Sequence, residues 1–117
     1  MATRTKNNGP RASADSIRYW ISFDLGLMAD YSQFYEWLDS HDALECGTGM
    51  ATLVSTRKRD QMIVEIQGVL DGASRARVYL ICKQPDGRVG GKFVAGGRKA
   101  APWAGFAVHA STELDEA

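Results

Sequence analysis

The sequence predicts an α+β domain in which two helices cover one face of a small antiparallel sheet. Stretches with period-two alternation lie around residues 19–25, 50–55, 76–83 and 89–95, and two stretches with apolar residues at helical spacing separate the first three. The links between them are short, which suits an antiparallel sheet better than a fully parallel one. At 117 residues and 44% hydrophobic content, the chain supports one core and not two.

Residues 1–16 are rich in Thr, Asn, Ser, Ala and Arg with no apolar period. Such a segment buries too little surface to offset its ordering entropy, so it reads as a flexible basic tail. Residues 17–109 read as the folded domain and residues 110–117 as an acidic C-terminal tail. The first strand places Tyr19, Ile21, Phe23 and Leu25 on the core face and Trp20, Ser22 and Asp24 on the other. Asp30, three residues before Gln33, predicts the cap of a helix from about Tyr31 to Ser40, with Tyr31, Phe34, Tyr35 and Leu38 on its apolar face and Trp37 at the edge of that face. The segment from Glu45 to Gly49 reads as a glycine-loosened lead into a second strand, Met50 to Ser55. Asp60 is expected to cap a second helix carrying Met62, Ile63, Ile66, Val69 and Leu70, and Gly72 to end it in a left-handed cap.

A third strand, Ala76 to Lys83, alternates Val78, Leu80 and Cys82 against Arg77, Tyr79, Ile81 and Lys83. The Gln84-Pro85-Asp86-Gly87 turn then predicts a hairpin to a fourth strand, Val89 to Ala95. A last extended segment is expected around Trp103 to His109. The order β-α-β-α-β-β with both helices on one face is a ferredoxin-like sandwich.

Zero net charge argues against an indiscriminate polyanion binder. The charges are nevertheless segregated. Residues 24–74 carry nine acids against Arg57, Lys58 and Arg59, whereas residues 75–108 carry seven bases against Asp86 alone. That basic section offers a local cationic surface, and Arg75, Arg77, Lys92, Arg98 and Lys99 are its candidate phosphate contacts. No stretch approaches the roughly 18 apolar residues of a membrane span, and the polar start lacks the apolar core of a secretory signal, so the expectation is a cytoplasmic protein. Cys46 and Cys82 lack metal-site spacing and read as reduced structural thiols.

The string Gly87-Arg88-Val89-Gly90-Gly91-Lys92-Phe93 is not a phosphate loop, because Asp86 stands where that motif needs glycine and Phe93 where it needs Ser or Thr. His41 and His109 stand apart from any nucleophile motif. Asp24 is the candidate of chemical interest: it ends an aromatic strand just before Gly26, where sheets tend to carry catalytic or metal-binding groups. A strand-end aspartate that caps its own loop is the alternative.

The run Tyr19-Trp20-Ile21-Ser22-Phe23-Asp24-Leu25, the helix with Tyr31-Ser32-Gln33-Phe34-Tyr35-Glu36-Trp37-Leu38, the strand Thr48 to Val54 and the segment Arg77-Val78-Tyr79-Leu80-Ile81 resemble the small CRISPR-associated spacer-acquisition subunit. They are also similar to its SinR-like and VapD-type relatives. The resemblance covers about residues 18–83. It implies a homodimer whose sheets face each other, and it makes Asp24 the match for a strand-end aspartate that, paired across the dimer, binds Mg²⁺ or Mn²⁺ for phosphodiester hydrolysis. The leading expectation is thus a homodimeric protein that associates with DNA or RNA, with metal-dependent endonuclease chemistry at Asp24. Two alternatives accompany it: a non-enzymatic dimerisation or adaptor module using Trp103 and Phe106, and a ferredoxin-like small-molecule sensor.

Overall fold

A computed structural model of the chain describes residues 15–107. Its elements run β1 (Ile17–Asp24), α1 (Ser32–Ser40), β2 (Leu44–Glu45), β3 (Met50–Ser55), α2 (Arg59–Val69), β4 (Arg77–Lys83) and β5 (Val89–Ala95). The strands form one sheet ordered β2-β3-β1-β4-β5, antiparallel at every neighbouring pair. The first tail expected from the sequence falls mostly outside the described residues, and the acidic tail and His109 fall wholly outside them.

Alternation decides which face is buried. Ile17, Tyr19 and Ile21 of β1, Ala51 and Leu53 of β3, and Val78, Leu80 and Cys82 of β4 lie in one core with Phe34, Trp37 and Leu38 of α1 and Met62 and Ile66 of α2. Each large side chain sealed there stabilises the fold by about 1.5–3 kcal/mol. Both helices therefore sit on the same side of the sheet, as the sequence pattern requires. The Tyr19 hydroxyl reaches through this layer and donates to the Arg57 carbonyl. Burial and the nearby Cys82 push its pKa up, so it stays a donor.

The ferredoxin-like order stands with one addition. Leu44–Glu45 forms a short strand against Thr52 and Ala51, and residues 46–49 make a hairpin into β3. Gly49, at φ +64°, accepts the Phe23 N–H at 2.8 Å through its own carbonyl. A Cβ there would stand 2.8 Å from the Phe23 carbonyl oxygen. Gly49→Ala is therefore expected to destabilise the protein by at least the roughly 1–3 kcal/mol of a strained backbone residue, read as a lower midpoint in chemical denaturation.

Three local expectations are corrected. Asp30 does serve the start of α1, but through the Ser32 N–H at 2.9 Å and the Ser32 hydroxyl at 2.7 Å, and the capping box with Gln33 is not formed. Asp60 lies inside the first turn of α2, where its charge complements the helix dipole; the residue at the cap is Lys58, whose N–H donates to Gln61 Oε1 at 3.3 Å. The extended segment expected from Trp103 is instead a run of turns over residues 102–105, closed by Phe106 N–H donating to the Trp103 carbonyl at 3.0 Å. Gly105 at φ +86° permits that turn, and Trp103 and Phe106 stay exposed, so no neighbour rewards extension. Among the described residues, no helix is long and apolar enough to cross a membrane.

A polar hub ties the two helices together. Glu65 of α2 accepts from Trp37 Nε1 at 3.0 Å and pairs with Arg57 at 3.0 Å. His41 Nε2 lies 3.3 Å from Glu65 and 3.2 Å from Arg57 Nη1. A protonated ring would suit the first contact and a neutral one the second. Burial, opposed by Glu65, lowers its pKa from 6.5, so the neutral ring accepting from Arg57 is the form we assign. The unfolded chain then binds this proton more readily than the folded one as pH falls below 6.5. Thermal unfolding is expected to show stability level with pH above that value and declining below it, with a shallower decline in His41→Gln.

Candidate functional site

Among the described residues, no helix covers the face of the sheet away from α1 and α2. Its residues follow from the same alternation that built the core: Arg18, Trp20, Ser22 and Asp24 on β1, Arg77, Tyr79, Ile81 and Lys83 on β4, and Gly91 and Phe93 on β5. Strand register arranges them in rows. Ser22 lies beside Met50 on one side and Tyr79 on the other, and Tyr79 beside Phe93. The next row carries Thr52, Trp20, Ile81 and Gly91. Gly91 is what lets the row lie flat, because a Cβ there would overlap the Tyr79 ring.

The aromatic and basic cluster of this face gathers around Phe93 on the edge strand β5. Tyr79 meets it edge-on at 4.8 Å between ring centroids. The guanidinium carbons of Arg77 and Arg98 lie 5.7 Å and 5.8 Å from the Phe93 centroid. Arg77 is held there by its Nε–H, which donates to the Gly97 carbonyl at 2.9 Å. Arg98 arrives by the turn at Gly96, whose φ of +71° and close approach to Ala76 and Arg77 favour glycine. Asp24 is the cross-strand neighbour of Arg77, and these groups with Ser22 line a hollow of about 310 Å³.

Asp24 is exposed at the rim, and its Oδ1 accepts the Gly26 N–H at 3.0 Å. It therefore does what a loop-capping aspartate does while remaining beside two arginines. Among the described residues, no three His, Cys, Asp or Glu side chains converge as a metal centre needs. One chain thus supplies a single carboxylate at this point, and it does not by itself fit a bound magnesium or manganese ion.

The five candidate phosphate contacts do not stay together. Arg77 and Arg98 meet at Phe93. Arg75 lies in the loop before β4, next to Gly26 at the end of the sheet. Lys92 stands opposite Leu80, so alternation turns it away from Phe93. Lys99 is exposed on the segment that follows Arg98. The sequence reading gave no role to Trp20, Tyr79 or Phe93. The signal that could have found them is three aromatic residues on the non-core side of three neighbouring strands, where solvated polar residues are the norm.

The fold and this face define an α+β domain with one side of its sheet covered by helices and the other left as an aromatic and basic surface. Comparison with protein-family models, with curated proteins and with solved structures returns no significant match.

Proposed function

We propose that the chain binds single-stranded nucleic acid across the open face of its sheet. The observation that carries this reading is Phe93 flanked by Arg77 and Arg98 in a row shared with Tyr79. Aromatic faces on an open antiparallel sheet stack unpaired bases, and guanidinium groups beside them take the phosphates. Among the described residues no helix lies over this face, so its half-buried aromatic rings are accessible to unpaired bases. The direct test is titration of labelled single-stranded DNA and RNA over a series of salt concentrations. Saturable binding that weakens with salt is expected; no binding at low salt would remove the reading.

Cleavage is a further part of this proposal. A second copy of the chain would bring a second Asp24, and phosphate oxygens could complete an oxygen shell around Mg²⁺ or Mn²⁺. This is the arrangement implied by the resemblance to the CRISPR-associated subunit. Asp24→Ala is expected to abolish magnesium-dependent cleavage while leaving oligonucleotide affinity within about twofold, since a rim carboxylate contributes little to phosphate binding. Equal cleavage by both proteins would remove Asp24 from the chemistry.

A second reading is favoured by the aliphatic members of the same face. Met50, Val54 and Ile81 would suit a homodimer packed sheet to sheet, in a purely structural module. Solution mass together with oligonucleotide titration separates the two, because a structural dimer would bury the rings that bases need.

A further inference from the structure

The open face continues past the Phe93 cluster toward the opposite end of the sheet. Beyond the row of Trp20 and Ile81, register sets Val54, Arg18, Lys83 and Val89 side by side. Lys83 ends β4 and is exposed. Arg18 Nη1 donates to Thr52 Oγ1 at 3.1 Å, and that hydroxyl donates to the Tyr19 carbonyl at 2.8 Å. Because Thr52 is the cross-strand neighbour of Trp20, this bond draws the Arg18 guanidinium back toward the indole. A half-buried aromatic residue beside a fixed arginine thus occurs twice on this face, once at Phe93 and once at Trp20.

The two clusters are spaced for one extended molecule to span them. Rows of a sheet face repeat every two residues, about 6.8 Å, and neighbouring strands lie about 4.8 Å apart. Phe93 on β5 and Trp20 on β1 are separated by β4 and by one row, hence by about 12 Å. An unstacked nucleic-acid strand advances by up to about twice the 3.4 Å that separates nucleotides in a duplex strand, so about two steps carry it from one ring to the other. Tyr79 and Ile81 floor the interval between them. Of the open-face side chains on β1, β4 and β5, Asp24 is the one acid, set against Arg18, Arg77 and Lys83. Cations at both ends with rings between them match negative charges and flat groups repeating along a chain.

We infer that Trp20, Arg18 and Lys83 form a second contact zone, and that the face holds about four nucleotides of one strand, with bases on Phe93 and Trp20 and phosphates at the cations of both ends. This rests on the single-strand reading of the Phe93 cluster, and its test is built to fail separately. Oligothymidylates of two to eight nucleotides are the probes, ranked by competition against a labelled octamer. Affinity is expected to climb steeply up to about four nucleotides and slowly beyond. Trp20→Ala should weaken the tetranucleotide by at least about fivefold, the low end for one stacked base, and Trp20→Phe should restore most of that loss. The Arg18→Ala/Lys83→Ala variant should lower the salt slope of the tetranucleotide by about 1.4 while leaving dinucleotide affinity within about twofold, since the Phe93 cluster still holds it. Lys83→Ala alone, at an exposed strand end, leaves the packing around Trp20 untouched and should lower the slope by about 0.7. Affinity that levels off at two nucleotides, with the wild-type slope in both lysine variants, would overturn this inference and leave the Phe93 reading standing. No binding at any length would remove that reading and the second zone with it.

Discussion

Phe34→Ala is expected to lower the unfolding free energy by about 3–5 kcal/mol, the range for a buried phenylalanine whose site collapses only partly. Phe34 is fully buried, with Phe23 at 4.9 Å and Trp37 at 6.2 Å between ring centroids. It is the contact through which α1 holds the end of β1, so the loss is concentrated at one joint. A domain of this size has roughly 5–15 kcal/mol in total, and the variant should be partly unfolded at physiological temperature. Chemical denaturation followed by tryptophan fluorescence measures this directly. A change below about 1 kcal/mol would mean that α1 does not pack as described.

The second large effect concerns the open face. Phe93→Ala should weaken single-stranded oligonucleotide binding by roughly 5- to 150-fold, the equivalent of about 1–3 kcal/mol for one stacked base. The slope of log affinity against log salt should not change in this variant, because no charge is lost. The Arg77→Ala/Arg98→Ala double variant should instead reduce that slope by about 1.4, roughly 0.7 for each phosphate contact on a single strand. The pair of results separates stacking from phosphate contact. Equal affinities for all three proteins would place binding elsewhere on the molecule.

Much of the fold was legible because burial writes itself into alternation. β3 and β5 lie where the period-two pattern put them, and Tyr19, Ile21, Val78, Leu80 and Cys82 are buried as assigned, whereas Ile17 joins the core unassigned, Phe23 is only partly buried, and on α1 Trp37 is buried while Tyr35 is 54% exposed. β2 was not legible, since a strand of two residues, Leu44 and Glu45, has no period to read and both side chains are exposed. Trp103 and Phe106 misled for the converse reason: aromatic residues favour strands only when a neighbouring strand packs against them, and among the described residues these two have none.

The site was legible only in part. Blocks of charge along the chain pointed to the basic section, but linear charge cannot say which side of a strand a residue takes. Alternation already separates Lys92 from Phe93. What it could not show was that Gly96 swings Arg98 back onto the ring that Arg77 also reaches.

The two margins of the sheet are unequal. On one side β5 offers a seven-residue border, and on the other β2 ends after two residues. A border with free backbone groups can recruit another strand, whereas so brief a one gives an incoming strand almost nothing to hold. Among the described residues, β5 is therefore the longer border for edge-on pairing. Two copies joined through β5 would use up both long borders and stop, a geometry that closes as a pair and does not continue into fibres.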